Sequence, residues 1–138
     1  MLYQGLDQEI AILHVGGKEE LDQWTLLFES FGLIVYRVAD LDYAYNLFYP
    51  KIQKTSLKTF AAVVDFKAKH TDCDTKIATA YSSRTFILKN GDLEHYLGIE
   101  KDLAEVIEFC TNKLHLYLQD DNNLNSLEVR EIVRQITV

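Results

Sequence analysis

Apolar and polar positions divide the chain into short apolar strands and amphipathic helices. Residues 10–15, IAILHV, are apolar and β-rich and end at Gly16-Gly17, which predicts a buried strand and a turn. In the following KEELDQWTLLFESFG, Leu21, Trp24, Leu27, Phe28 and Phe31 recur at helical spacing. Glu19, Glu20 and Asp22 fall in its first turn, where the helix dipole favours negative charge, and Gly32 is placed to stop it. Residues 33–39, LIVYRVA, predict a second apolar strand. Strand, helix and strand with short connections form a βαβ unit, so these two strands are expected to pair in parallel.

Beyond it, residues 42–48 predict a short helix that stops before Pro50, and the lysine-rich stretch 51–59 predicts a loop. FAAVVDF (60–66) fits either a strand or a helix reaching Lys69. KHTDCD reads as a turn and TKIATAYSSR as a helix of low propensity. TFILK (85–89) predicts a strand ended by the turn pair Asn90-Gly91, and Asp92 opens a helix. Between Glu100 and Leu118, the positions Leu103, Val106, Ile107, Cys110, Leu114 and Tyr117 form one apolar stripe. A polar connector, 119–126, leads to a final helix whose expected capping box pairs Asn125 with Glu128 and whose apolar face is Val129, Ile132, Val133 and Ile136. The expected organisation is an α/β domain over 1–118, with a small, mainly parallel sheet and flanking helices, and a helical C-terminal extension over 119–138.

Composition narrows the function classes. The chain has 138 residues, 48% of them hydrophobic and 25% charged, which fits one globular domain. No apolar run approaches the ~20 residues that cross a bilayer, and the N-terminus lacks the pattern of a secretory signal. Cys73 and Cys110 are too few for a disulfide framework, so two reduced thiols and a cytoplasmic location are expected. The formal charge of −7 argues against a stand-alone grip on DNA phosphates.

The candidate chemistry lies at strand exits. In an open α/β sheet, ligands collect at the carboxyl ends of parallel strands. Asp40 and Asp42 leave the strand at 33–39, and Asp92 and Glu94 follow the strand at 85–89. Hard divalent cations take oxygen ligands, so four acids on one edge could hold a metal. Acid-x-acid triplets are common in an acidic chain, roughly three by chance, and helix-capping and turn roles remain the alternative.

His70, Asp72, Cys73 and Asp74 lack the second ligand pair that zinc requires and are expected on a polar loop. His14 is expected as a hydrogen-bonded strand histidine, His95 beside the acids and His115 in solvent. Tyr45, Phe48 and Tyr49 share a helical face; core packing is expected, with an interface patch as the alternative.

The stretch IAILHVGGKEELDQWTLLFESFGLIVYRVADLDYAYN resembles the TOPRIM domain of OLD-family (overcoming lysogenization defect) nucleases, with its strand, Gly-Lys turn, helix, Gly-centred bend and strand running into Asp-x-Asp. FILKNGDLEHYL is similar to that family's later strand and its acidic ligand. The resemblance implies Mg²⁺- or Mn²⁺-dependent cleavage of DNA. It assigns catalytic and metal-binding roles to Asp40, Asp42 and Glu94, with Asp92 as a further ligand and Lys18 as a phosphate contact. The family's earlier strand, which exits into a glutamate, has no counterpart upstream of Ile10. The site is therefore expected to be completed by another segment, a partner chain or a homo-oligomer, and to be inactive or weak alone. The alternative is a non-catalytic module that binds a nuclease or ATPase partner.

Overall fold

The computed structural model describes residues 11–13 and 15–137. After a 3₁₀ turn at Lys18–Glu20 the elements are α1 (Leu21–Ser30), β1 (Arg37–Ala39), α2 (Tyr43–Leu47), α3 (Phe60–Lys69), α4 (Cys73–Tyr81), β2 (Thr85–Ile87), α5 (Leu93–Leu97), α6 (Leu103–Glu108), a π-helical turn (Phe109–Lys113), α7 (Leu114–Gln119) and α8 (Leu124–Thr137). The architecture is helix-rich, with a small two-stranded parallel sheet flanked by helices, and is consistent with the α/β class.

β1 and β2 pair in parallel, with Arg37 opposite Thr85, Val38 opposite Phe86 and Ala39 opposite Ile87. The parallel partner of the first aspartate-bearing strand is thus β2, across a connection containing α2, α3 and α4, and not the described residues of the segment at 10–15. The described residues of that segment carry no strand, and Ile12 and Leu13 are exposed. The strand expected over 33–39 is also trimmed to its last three residues, with Leu33 and Ile34 in solvent. Both corrections have one cause: apolar β-branched residues favour a strand only where a neighbour takes up their backbone groups.

β2 is the spine of the core because its side chains alternate between two clusters. Ile87 enters the first, formed with Leu41, Tyr43, Tyr45, Phe66, Cys73 and Ile77 among others. Phe86 and Leu88 enter the second with Tyr96 and Ile132. All three residues of β2 are buried, as expected for a strand covered on both faces. The stretch at 60–66 is helical, capped by Thr59, whose hydroxyl accepts from the Ala62 amide at 3.1 Å. Among the described residues no helix is long and apolar enough to cross a membrane.

Gly32 ends α1 as expected. At φ +81° it donates to Glu29, while Leu33 donates to Phe28, the paired bonds of a Schellman ending. The stripe of α1 is another matter, because none of its ten residues is buried. Leu21 packs against the rim of the first cluster, and polar contacts hold the helix beside it. Asp22 accepts from Arg37 at 2.5 Å and from the Tyr43 hydroxyl at 2.8 Å, and Arg37 also reaches the buried Thr85 hydroxyl.

The continuous stripe expected between Leu103 and Tyr117 is broken by the π turn. The extra residue of such a turn rotates everything beyond it out of line. Leu103 and Ile107, before the turn, are exposed already, as is Cys110 within it, and Phe109, off that stripe, is buried against Tyr117. The cap of α8 shifts too. Asn123, not Asn125, accepts from the amides of Asn125 (3.0 Å) and Ser126 (3.2 Å). Glu128 is therefore free of the capping box and turns toward β2.

Candidate functional site

Parallel pairing sets the carboxyl ends of β1 and β2 side by side. The ladder continues past both strands, with the Leu88 amide donating to Ala39 at 3.0 Å and the Leu41 amide to Gly91 at 2.9 Å. Residues 40–42 and 91–94, far apart in the chain, thereby share one edge. An Asp40 carboxylate oxygen accepts from the Leu93 amide at 3.2 Å. The charges of Asp42, Asp92 and Glu94 all act on Asp40.

Each acid on this edge also has a structural partner. Asp40 satisfies the first amide of α5, and Asp92 caps the same helix by accepting from the His95 amide at 2.8 Å. Asp42 is ion-paired with Lys18 Nζ at 2.7 Å, and Glu94 lies 3.8 Å from Lys101 Nζ. Among the described residues no three His, Cys, Asp or Glu side chains are grouped to hold an ion between them. The four expected acids thus share one edge, each carboxylate engaged by its own partner. Lys18 arrives at the edge, but its ammonium is engaged by Asp42 and does not stand free for a phosphate. That bond, with the charges of Asp42, Glu19 and Asp40, raises the Lys18 pKa above the ordinary lysine value against the opposing effect of burial.

Partial burial raises the Asp40 pKa above the usual carboxylate range, and the charges of Asp42, Asp92 and Glu94 add to the rise. The Leu93 amide opposes it. The folded state therefore holds this proton more tightly than the unfolded chain. The associated stability is present at acid pH and is lost as pH rises through the folded value. Asp40→Asn keeps a capping oxygen and removes the repelled charge. In chelator-treated protein it is expected to melt at or above the wild-type midpoint at pH 7, by within about 1 kcal/mol, with the gain shrinking as pH falls through the raised folded value and gone below the unfolded value of about 4. Thermal melts from pH 3 to 8 check this; a variant clearly less stable at pH 7 would contradict the crowding.

The remaining candidates take structural roles. His70 stacks on Tyr49 at 4.3 Å and lies 4.8 Å from Phe66, and Cys73 is fully buried, which raises its thiol pKa. That stretch is a core edge rather than a polar loop. Tyr43, Tyr45 and Tyr49 are buried, so the aromatic run is core and not an interface patch. His95 and His115 are exposed, and His14 lies outside the described residues.

Compared with protein-family models, with curated proteins and with solved structures, the chain matches none.

Sequence reasoning missed one residue that shapes this edge. Glu128, on α8, accepts from the Lys89 amide at 3.0 Å and from the Tyr96 hydroxyl, which in turn accepts from the Asn90 amide at 2.9 Å. The C-terminal helix thereby grips the turn that carries Asp92 and Glu94. Nothing near Glu128 in the chain signals this, because its partners lie 32 and 39 residues away.

Proposed function

We propose that this chain supplies the acid-bearing edge of a TOPRIM-type, metal-dependent phosphodiester hydrolase acting on DNA, completed by a further carboxylate from another segment or chain. The observation that carries the reading is the Asp40–Leu93 bond, which spans 53 residues and joins the two acidic strand exits that the motif resemblance pairs. A parallel strand pair whose exits both carry acids is what such a catalytic edge requires.

The donors suit a loosely held Mg²⁺ or Mn²⁺ better than a closed cage. Mg²⁺ usually takes one or two carboxylates and fills its remaining positions with water and phosphate. Asp40 and Glu94 would hold the ion, with Asp92 beside them and Asp42 joining once Lys18 leaves it. When bound, the ion would supply an activated water and neutralise charge developing on the phosphate. Lys18, displaced from Asp42, could then turn to a phosphate oxygen. At a net charge of −7, DNA binding by the chain alone should be weak and should depend on a partner.

The test is thermal. At tenfold excess over its dissociation constant, Mg²⁺ or Mn²⁺ should stabilise the protein by about 1.4 kcal/mol, a rise of roughly 4 °C. The rise should vanish in Asp40→Asn. No rise in either protein would remove the hydrolase reading.

That outcome would favour a second reading, a non-catalytic TOPRIM-like module that docks on a nuclease or ATPase partner. Its supporting observation is the apolar surface left open by Leu26, Phe31, Leu33 and Ile34.

A further inference from the structure

Beside the acidic edge lies an open trough of about 550 Å³, formed where the β2–α5 turn, the start of α3 and the α7–α8 connector meet. We propose that it seats a nucleobase of the nucleic-acid substrate. The identity of the ligand rests on the phosphodiester reading above, but its binding does not require the metal.

Three features of the lining point to a planar heterocycle with hydrogen-bonding edges. Phe60 lies in the lining with 72% of its surface exposed, although it opens a helix whose Val63 and Phe66 are buried. An aromatic face left in solvent is a stacking platform that any base can use. Amides supply the second feature. Asn90 donates through Nδ2 to Asn125 Oδ1 at 2.9 Å, which orients both groups. No other side-chain bond engages Asn90 Oδ1 or Asn125 Nδ2 among the described residues, so an acceptor and a donor stand free in the same lining. Such a pair complements the donor–acceptor edge of a base, as amide side chains do elsewhere.

Charge supplies the third feature. Asp120 lines the trough and no Lys or Arg does, so a phosphate is excluded from the trough itself. The sugar–phosphate must lie outside. His95 joins the lining from α5, the helix capped by Asp92 and carrying Glu94, so a base seated here leaves its phosphate on the side of the acids.

The test uses uncharged probes and no metal. ¹⁵N-labelled protein in EDTA is titrated with deoxyadenosine, deoxycytidine, deoxyguanosine and thymidine, with deoxyribose and phenol as controls. At least one nucleoside should saturably shift the Asn90 and Asn125 side-chain NH₂ resonances with millimolar affinity. Phe60→Ala should weaken binding about tenfold. Asn125→Ala should weaken it severalfold. Three results overturn the proposal: no saturable shift with any nucleoside, equal binding by phenol, or binding undiminished in Phe60→Ala. A failed nucleoside titration beside a normal Mg²⁺-induced rise in midpoint would remove the trough and leave the metal reading standing. The converse result would remove the metal and leave a base-binding surface.

Discussion

Phe86→Ala is expected to cost about 3–5 kcal/mol, a large share of the stability of a domain this size. Phe86 is 1% exposed and lies on the strand that divides the core. Its ring stacks near Tyr36 at 6.2 Å and meets Tyr81 edge-on at 4.8 Å, so truncation removes both aromatic contacts along with the buried area. The space left cannot close easily, because β1 pins the backbone on one side and Ile132 of α8 packs on the same cluster. Urea unfolding followed by tryptophan fluorescence and by circular dichroism should show a lower midpoint at unchanged slope. A loss below about 1 kcal/mol would mean that the second cluster does not form around this residue.

Glu128→Ala is expected to cost about 2–4 kcal/mol, chiefly by leaving partners unsatisfied. The half-buried carboxylate takes two donors, the Lys89 amide and the Tyr96 hydroxyl, and hydrogen bonds to a charged acceptor are the stronger kind. Burial and the neighbouring Glu128 charge push the Tyr96 hydroxyl pKa far above its ordinary value, so it remains a donor at every working pH. Glu128→Gln keeps the shape and an acceptor, and should lose only about 1 kcal/mol. A double-mutant cycle with Tyr96→Phe isolates the pair, with an expected coupling of about 1–2 kcal/mol. Coupling near zero would show that α8 is held by its apolar face alone. Because Glu128 grips the turn that leads to Asp92, the same variant tests whether α8 sets the geometry of the acidic edge. If it does, Glu128→Ala should also reduce the Mg²⁺-induced rise in midpoint.

The two predictions meet at α8, whose attachment shows how far the chain can be read without its fold. The apolar face of that helix is visible at helical spacing, and Ile132 is buried as the pattern implies. Its polar anchor is not visible. Asn125 and Glu128 have the spacing of a capping box, yet Asn123 captures the amides and Glu128 crosses to β2. A local motif states what a side chain can do within one turn, and a better-placed distant donor overrides it. The π turn at 109–113 is invisible for a similar reason, since the stripe around it fits an uninterrupted helix.

The acidic edge was legible to a corresponding depth. That Asp40, Asp42, Asp92 and Glu94 follow strands is local information, and β1 and β2 lie where the apolar runs put them. That the exits adjoin could be expected from parallel pairing. Which strand would be the partner could not, and the segment at 10–15 was the nearer candidate. The engagement of Asp42 by Lys18 and of Asp40 by the Leu93 amide follows only from the fold.

By itself, the sequence determined the features that nearest neighbours can enforce. These are the Gly32 ending of α1, the Asp92 cap of α5, the stop before Pro50, and the alternation that sends Phe86 and Ile87 to opposite faces. Each depends on backbone geometry within a few residues, where propensity and capping act without help. Only the tertiary structure decided the strand pairing, the partner of every charged group on the edge, and the exposure of the α1 stripe. Those outcomes compare contacts between distant segments, and such differences in free energy have no signature inside any single window of the chain.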